Sequence, residues 1–327
     1  MMRKGAAYIA IAAAIFASCN KDLCHDHTHD SRLEVRFDWS RSTPDGATAM
    51  RAYLFPKAGG KPLSADLAGT RGGMMDANYG GYSAIGVSQP DATTRIVAER
   101  YDDAYAIASE TELVSEKSFG ISTKAPMPDG AEDETVRMQP SFLYADTCSH
   151  MTVSSVNRVL TMRPVALVDT IDVTVEGVEN LEYVVGISAA ISGLCPAVSL
   201  RTLQPLDEIC TMPMKMTKTG DKKIGGRILV FGHCPHEEIH RHVLTIYAML
   251  EDGKKYYFNN EVTDKMHDLE HPDEKPDEKP DEKPDEKPQE KHIEIIIPNL
   301  PIPEPVEQGS FNPDLDGWTE VDVSVSM

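Results

Sequence analysis

The sequence is short of positive charge: 32 Lys and Arg stand against 52 Asp and Glu, a formal net charge of −20 over 327 residues. Nucleic-acid binding needs clustered cations, so we predict no nucleic-acid partner, and docking on an anionic lipid surface by charge alone is disfavoured. Aromatic residues make up only 6% of the chain against 41% hydrophobic residues, which predicts aliphatic cores of modest size. No apolar run reaches about 18 residues, so the sequence predicts no transmembrane helix.

Cysteine is also scarce, and no Cys-x-x-Cys pair occurs, which leaves a zinc ribbon or a thioredoxin-type redox site without support. The six cysteines are Cys19, Cys24, Cys148, Cys195, Cys210 and Cys234. If Cys19 carries lipid, the remaining five cannot all pair within one chain. Cys195 and Cys210 are a plausible disulfide in an oxidising compartment, but free buried cysteines fit at least as well.

The amino-terminal segment has the features of an export signal. Arg3 and Lys4 precede an uncharged apolar run of 12 residues at 6–17. As a helix this run rises roughly 18 Å, short of a hydrocarbon core of about 30 Å. The segment therefore fits a signal peptide better than a permanent membrane anchor.

A lipid-attachment motif follows at 16–19, where the sequence F-A-S-C resembles a lipobox. We predict a lipoprotein signal peptide over 1–18, lipid attachment at Cys19 and a flexible tether over 19–30, with an ordinary secretory signal as the alternative. Several acyl chains hold a protein at a membrane almost permanently, so the membrane is a predicted partner. A polar tether is the commoner meaning of 19–30, although its alternating histidines could bind a metal ion; these are His25, His27 and His29.

The segment H-E-E-I-H at 236–240 matches the H-E-x-x-H pattern of zinc peptidases. On a helix, His236 and His240 share one face and could hold Zn²⁺, with Glu237 between them as the general base. Glu261 lies 21 residues after His240, near the spacing of a third ligand in thermolysin-like enzymes. A zinc metallopeptidase is therefore an alternative reading of the chain.

The local pattern disfavours that reading. Strand-forming residues begin near His242, which places 236–240 on a lead-in loop where the two histidines do not converge. His233, Cys234 and His242 lie close by, so adventitious metal binding is favoured over catalysis. We predict no catalytic residue, no dedicated metal site and no cofactor, and we predict that the protein is not an enzyme.

Alternation of apolar and polar residues with a period of two predicts strands at 33–39, 165–175, 181–191, 243–249 and 319–327. Turns rich in glycine and proline separate these runs. Many short strands between such turns indicate an all-β protein built from antiparallel β-sandwiches. We expect the last strand to complete the protein's own sheet instead of being donated to a neighbour.

The regularity of the strands changes along the chain. Strands before 141–151 are ragged and rich in loops, while those after it are long and regular, so this segment resembles a domain junction. We predict an N-terminal domain over 31–150 and a C-terminal domain over 151–327. The second domain carries a disordered insertion at 271–292, made of four P-D-E-K units followed by P-Q-E-K. Proline at every fourth position forbids a continuous helix or a central strand there.

Taken in order, these features resemble the fimbrillin-like lipoproteins of Bacteroides-type Gram-negative bacteria. The matching segments are the lipobox at Cys19, L-E-V-R-F-D-W at 33–39, S-F-L-Y-A at 141–145, R-P-V-A-L-V-D-T-I-D-V-T-V at 163–175, I-S-G at 191–193, R-I-L-V-F-G at 227–232, Y-A-M-L-E-D-G at 247–253, E-V-T-D at 261–264, I-P-E-P at 302–305 and D-G-W at 316–318. The P-D-E-K array departs from the pattern and looks like an insertion private to this chain.

The resemblance implies a fold and a role. The fold would be two tandem transthyretin-like antiparallel β-sandwich domains. The role would be that of an outer-membrane lipoprotein, acting as a fimbrial anchor or accessory subunit in cell-surface adhesion and binding fimbrial subunit proteins by β-strand addition. A lipoprotein that binds surface glycans is a further alternative, for which the low aromatic content is mild counter-evidence.

Overall fold

The computed structural model describes residues 30–113, 124–233, 240–268, 292–305 and 317–322. It confirms the all-β class, since the described part holds twenty strands, one 3₁₀ turn and one short helix. The first eleven strands are β1 (Asp30–Phe37), β2 (Met50–Pro56), β3 (Leu63–Leu67), β4 (Gly72–Asn78), β5 (Gly80–Ser88), β6 (Thr94–Val97), β7 (Tyr105–Ala108), β8 (Thr135–Val136), β9 (Tyr144–Val153), β10 (Val159–Met162) and β11 (Val165–Ala166).

The later part of the chain continues in the same manner. Its elements are β12 (Asp169–Val175), the 3₁₀ turn Leu181–Tyr183, β13 (Val184–Leu194), β14 (Ala197–Ser199), β15 (Cys210–Gly220), β16 (Lys223–Val230), β17 (Val243–Leu250), β18 (Lys255–Glu261), the helix α1 (Thr263–Asp268), β19 (His292–Ile297) and β20 (Trp318–Glu320).

The first sandwich packs a three-stranded sheet, in the order β10-β1-β4, against a five-stranded sheet in the order β11-β9-β5-β2-β3. The alternation predicted for the opening strand is confirmed, because Leu33, Val35 and Phe37 on β1 are all buried. Trp39 lies just beyond the strand and donates its indole N–H to the carbonyl of Thr70 at 2.7 Å. One continuous hydrophobic cluster fills the space between these two sheets.

The second sandwich is held together by β15, which belongs to both of its layers. Its first half pairs with β13 and leads on to β17, β18 and β20, while its second half pairs with β16 and leads on to β12 and β19. Both layers bury alternate residues in a second hydrophobic cluster, such as Ile171 and Val173 of β12 against Leu244 and Ile246 of β17. Because β15 changes partner along its length, the two layers are joined by covalent chain as well as by packing.

The two sandwiches are in direct contact. The outer face of the five-stranded sheet contributes Tyr53, Phe55 and Ile85 to the same hydrophobic cluster that fills the second sandwich. Strands from the first half of the chain also pair with the second half, since β7 pairs with β14 and β8 pairs with β15.

The chain passes from one sandwich to the other at Leu167 and Val168. Both side chains are buried, which breaks the alternation of a single strand, and the predicted continuous strand over 165–175 is wrong. In its place β11 pairs with β9, and β12 pairs with β16. The boundary predicted at 150/151 falls inside β9, which pairs with β5 up to Val153. The division of the chain into two domains stays a prediction.

A second departure from the predicted alternation lies in β13. The pattern over 181–191 predicts that Val185 is buried, but its side chain is 61% exposed. The reason is local: residues 181–183 form a 3₁₀ turn, and the pairing of β13 with β17 shifts register between Val184 and Gly186. Such a bulge moves every preceding side chain to the other face of the sheet.

The end of the chain follows its prediction in part. The strand predicted at 243–249 is confirmed as β17, which forms a hairpin with β18, with Val243 opposite Glu261 and Met249 opposite Lys255. The terminal strand is present over Trp318–Glu320, where it pairs in parallel with β18 of the same chain. Val321 and Asp322 are described but are not part of the strand, so the predicted strand over 319–327 ends earlier than expected. Residues 323–327 and the P-D-E-K array up to 291 lie outside the described residues.

Asp172 on β12 provides a test of the sheet pairing. The guanidinium of Arg227, opposite it on β16, contacts its carboxylate at 2.6 and 2.7 Å and lowers the pKa of Asp172 below its usual value. A carboxyl group whose pKa is lower in the folded protein than in the unfolded chain, where it is about 3.9, raises the free energy of unfolding at pH values above about 3.9. This contribution is lost as the pH falls through the pKa of the folded state. We expect Asp172→Asn to lower the melting temperature at pH 7 by up to about 3 °C and to change little near pH 2.

The matched control is Asp76→Asn. Asp76 and Arg32 are 3.9 Å apart and their side chains are 90% and 77% exposed, so removal of this carboxylate is expected to leave the melting temperature unchanged. Thermal melts followed by circular dichroism at the two pH values measure both variants. Equal effects of the two substitutions at pH 7 would contradict the assignment.

Candidate functional site

The predicted lipid-attachment residue, Cys19, lies outside the described residues. None of the helices in the described ranges is long and apolar enough to cross a membrane. Of the other cysteines, Cys148, Cys195 and Cys210 are described, and the plausible disulfide between Cys195 and Cys210 is not formed. Burial raises the pKa of Cys210, so this thiol is held in its protonated form.

The residues of the H-E-x-x-H reading are only partly described. His236 lies outside the described residues, and His240 is described but not in a helix. Glu261, the predicted third ligand, instead pairs with Arg241, whose Nε lies 2.6 Å from the carboxylate, and also accepts a hydrogen bond from Thr263. Burial alone would raise the pKa of Glu261, but these two hydrogen bonds lower it below its usual value. As predicted, the strand begins at Val243 and leaves His240 on its lead-in segment.

Three histidines meet in the second sandwich. His233 follows β16, His242 precedes β17 and His267 lies in α1. Their ring centroids are 5.1 to 5.4 Å apart, and one nitrogen from each ring lies within 4.8 Å of the others. His233 and His242 are buried and His267 is half-buried. The structure therefore joins two histidines that the sequence analysis noted with a third that it missed.

The position of His242 is fixed from several sides. Its ring Nδ1 is 3.0 Å from the carbonyl of Ser192, and its backbone N–H donates to Oγ1 of Thr263 at 2.9 Å. Burial, together with the smaller effects of the neighbouring His233 and His267, lowers the pKa of His242 to about 4. The imidazole is therefore neutral at pH 7.

Gly193 forms the wall behind this ring. Its φ is +77°, and a Cβ placed there would lie 2.7 Å from His242 Nδ1 and 2.8 Å from the carbonyl of Arg241. Its backbone N–H donates to the carboxylate of Glu134 at 3.2 Å. The glycine of the I-S-G segment is therefore required both by its backbone conformation and by the close approach of His242.

A second candidate site is the open edge of the first sandwich at β3. Just past β2, the backbone N–H of Lys57 donates to the carbonyl of Gly81 at 2.9 Å. The backbone N–H and C=O groups of the odd-numbered residues of β2 therefore point toward β5, and those of the even-numbered residues point toward β3. Their hydrogen-bonded partners on β3 are Leu63, Ala65 and Leu67. Because backbone direction alternates along a strand, the N–H and C=O groups of Ser64 and Asp66 point away from the sheet.

The same reasoning applies to β4 in the opposite layer. The backbone N–H of Glu34 donates to the carbonyl of Arg158 beside β10, so the backbone groups of the even-numbered residues of β1 point toward β10. Those of the odd-numbered residues point toward β4. Their partners on β4 are Gly73, Met75 and Ala77. The backbone groups of Met74 and Asp76 therefore point outward, on the same side of the sandwich as those of β3.

Between these two edges lies a groove of about 470 Å³, which we call the edge groove. Its lining residues are Arg32, Leu63, Ser64, Ala65, Met74, Met75 and Asp76. The side chain of Met74 is 52% exposed, while Leu63 and Ala65 are half-buried against the core of the first sandwich. Asp66 is paired with Arg51 at 3.0 Å beside the groove. The edge groove thus combines unpaired backbone groups with an apolar floor and a charged rim.

The fold of this chain resembles those of other solved structures. The solved structure of a candidate adhesin from Bacteroides ovatus resembles this chain with a TM-score of 0.57 at 20% identity, covering 83% of this chain and 94% of that one. A candidate polysaccharide-binding protein from Bacteroides thetaiotaomicron gives a TM-score of 0.46 at 12% identity over 73% and 84%. The fimbrial anchor protein Mfa2 from Porphyromonas gingivalis gives 0.41 at 13% over 68% and 78%. The first of these likenesses shows the fold.

Residues 18–215 match the family described as a domain of unknown function, DUF5119, which is more than half of the chain. The chain belongs to this family. The all-β fold that the resemblance to the fimbrillin-like lipoproteins implied is shared with the Bacteroides ovatus structure. None of the curated proteins matches the sequence.

Gly193→Ala tests the packing around His242. We expect it to lower the free energy of unfolding by at least about 3 kcal/mol, because it combines a strained backbone with a clash against the ring. Gly59→Ala is the matched control: its φ is +87° with nothing within 4 Å of the new Cβ, so it reports the backbone cost alone, about 1 kcal/mol. Urea denaturation measures both variants, and equal losses would show that His242 does not press against Gly193.

Proposed function

We propose that this protein is a non-enzymatic outer-membrane lipoprotein that serves as a fimbrial anchor or accessory subunit in cell-surface adhesion. Its partners would be fimbrial subunit proteins, which add a strand at the edge groove. The observation that carries the proposal is the convergence of β3 and β4 on one groove with an apolar floor; both are edge strands among the described residues.

Strand addition fits the chemistry of this groove. An incoming strand beside β3 would hydrogen-bond with the outward groups of Ser64 and Asp66, and its alternate side chains would lie over Leu63 and Ala65. The main-chain bonds would supply affinity without regard to sequence, while the apolar floor would select a donor with small or aliphatic residues at every second position. The charged pair of Asp66 with Arg51 on the rim disfavours self-association of the edge in the absence of a partner.

The edge of the second sandwich at β19 is less suited to strand addition. β19 is the outermost strand of one layer of the second sandwich, and its backbone bonds to β12. The backbone N–H of Glu176 donates to the carbonyl of Ile297, so the backbone groups of Ile297 point toward β12. Because backbone direction alternates along a strand, the N–H and C=O groups of Ile296 point away from the sheet. The amine of Lys265, from α1, donates to the carbonyl of Ile296. This side chain occupies an acceptor that an added strand would need.

Lipid at Cys19 would fix the molecule to the membrane. Asp30, where β1 begins, is the eleventh residue after Cys19, and a chain of that length can span at most about 40 Å. The first sandwich would then lie close to the membrane surface while the edge groove stays accessible from the side.

The zinc peptidase reading is the rival from another class. It requires His240 on a helix and a free carboxylate at Glu261, whereas His240 lies in an extended lead-in segment and Glu261 is paired with Arg241. A zinc-dependent cleavage of casein by the purified protein, lost on His240→Ala, would establish the rival.

Cys19→Ala tests the anchoring. We expect the wild-type protein in the membrane fraction of the native host and more than about 90% of the variant in the soluble fraction, because one cysteine carries all of the acyl chains. Fractionation followed by immunoblotting measures the distribution. Cys24→Ala, which changes a cysteine of the tether, is the control and should stay with the membrane. Retention of the Cys19 variant in the membrane would contradict lipid anchoring.

Ser64→Pro tests strand addition. Proline removes the outward N–H of β3 and is tolerated at an edge, while the bonds from Leu63 and Ala65 to β2 remain. We expect about tenfold fewer surface fimbriae, counted by electron microscopy in the native host, with little change in the melting temperature of the purified protein.

Ser64→Ala is the matched control, since it changes the side chain and keeps the N–H, and it should leave fimbriation intact. If Ser64→Pro cells carry a normal number of fimbriae and the protein is stably folded, the edge groove at β3 is not the site of addition.

A further inference from the structure

The three-histidine cluster is not explained by the fold or by strand addition. His233, His242 and His267 come from separate segments, 9 and 25 residues apart in sequence, and no regular periodicity brings them together. Two of the three rings, those of His233 and His242, are buried. Imidazole is the commonest protein ligand for divalent transition metals, which bind the neutral ring.

The hydrogen bond of His242 fixes which nitrogen is available. A backbone carbonyl only accepts, so Nδ1 of His242 must carry the proton that it donates to Ser192 at 3.0 Å. In the neutral ring, Nε2 is then the unprotonated nitrogen, which is the one that can bind a metal ion. Metal-binding histidines typically donate their other ring N–H to a carbonyl or carboxylate in this way, which orients the ring and raises its basicity.

The distances fit a metal site after a small adjustment. Zn–N bonds of about 2.0–2.1 Å place two nitrogens of a tetrahedral site roughly 3.4 Å apart. The three candidate nitrogens lie within 4.8 Å of one another, so they need to approach by at most about 1.4 Å, which side-chain rotation of the half-buried His267 can supply.

We propose that His233, His242 and His267 bind one Zn²⁺ ion, with water in the fourth position. The ion links α1 to two segments that contact the end of β13, because His233 forms a bridge with Leu194 and His242 contacts Ser192. Its role is structural: it fixes the helix that immediately precedes the P-D-E-K array against the second sandwich. The site differs from the H-E-x-x-H set in all of its ligands.

The test uses the mature chain, residues 20–327, carrying His25→Gln, His27→Gln and His29→Gln so that the tether histidines do not compete for metal. Isothermal titration with ZnCl₂ should show one ion per chain with a dissociation constant below about 1 µM. Co²⁺ in place of Zn²⁺ should give the intense visible absorption of a tetrahedral site. Zinc should also raise the melting temperature in a concentration-dependent manner.

His267→Ala should weaken zinc binding more than about 100-fold. Loss of a residue that only hydrogen-bonds to a metal ligand already weakens metal binding roughly 10–100-fold, and His267 is itself a proposed ligand. His267 is half-buried, so this variant is expected to fold, and its circular dichroism spectrum in the presence of a chelator should match that of the parent. His240→Ala is the matched control, because it removes a neighbouring histidine outside the cluster, and it should bind zinc like the parent.

Three results would overturn the proposal: a dissociation constant weaker than about 100 µM, zinc affinity unchanged by His267→Ala, or zinc affinity lost on His240→Ala. The last outcome would assign the metal to the H-E-x-x-H residues. Failure of the Ser64→Pro test would leave this proposal untouched, because the edge groove lies in the first sandwich and the histidines in the second.

Discussion

The hydrogen-bonding demand of the backbone governs this molecule. Every strand carries donors and acceptors on both sides, and each must find a partner, whether strand, side chain or water. Within the second sandwich β15 meets this demand by pairing with β13 along one half and with β16 along the other. At the margins the demand is met differently: the amine of Lys265 covers an acceptor on β19, whereas the outward groups of Ser64 on β3 face the edge groove. The contrast between a covered edge and an open one is the basis of the proposed recognition.

Local alternation was sufficient to predict the class of fold and several strands. The pattern of Leu33, Val35 and Phe37 gave the correct buried face of β1, because a strand with one solvent face leaves a period of two in the sequence. The pattern failed where the chain leaves one sheet for another. Val165 and Val173 are both at odd-numbered positions, yet they lie in different sheets. The two buried residues at the crossing, Leu167 and Val168, separate the strands by an even number of positions, so the odd-numbered apolar pattern continues and resembles one strand.

The candidate sites were less accessible to prediction. The H-E-x-x-H segment attracts attention because its histidines are close in sequence, but closeness in sequence produces convergence only on a helix. His267 carried no such signal, since it reaches His233 and His242 only through the return of the chain after the β17–β18 hairpin. The edge groove was likewise hidden, because the direction of a backbone N–H depends on register, which side-chain pattern does not specify.

The place of β1 in its sheet has a mechanical consequence. β1 is the central strand of three, bonded to β10 on one side and β4 on the other, and it is the first strand of the described chain. A pull on the amino terminus acts along the axis of this strand, so the bonds to both neighbours are loaded in shear and must yield together. An unzipping geometry would break them one by one at much lower force. A molecule tethered through this end would therefore resist mechanical tension along β1.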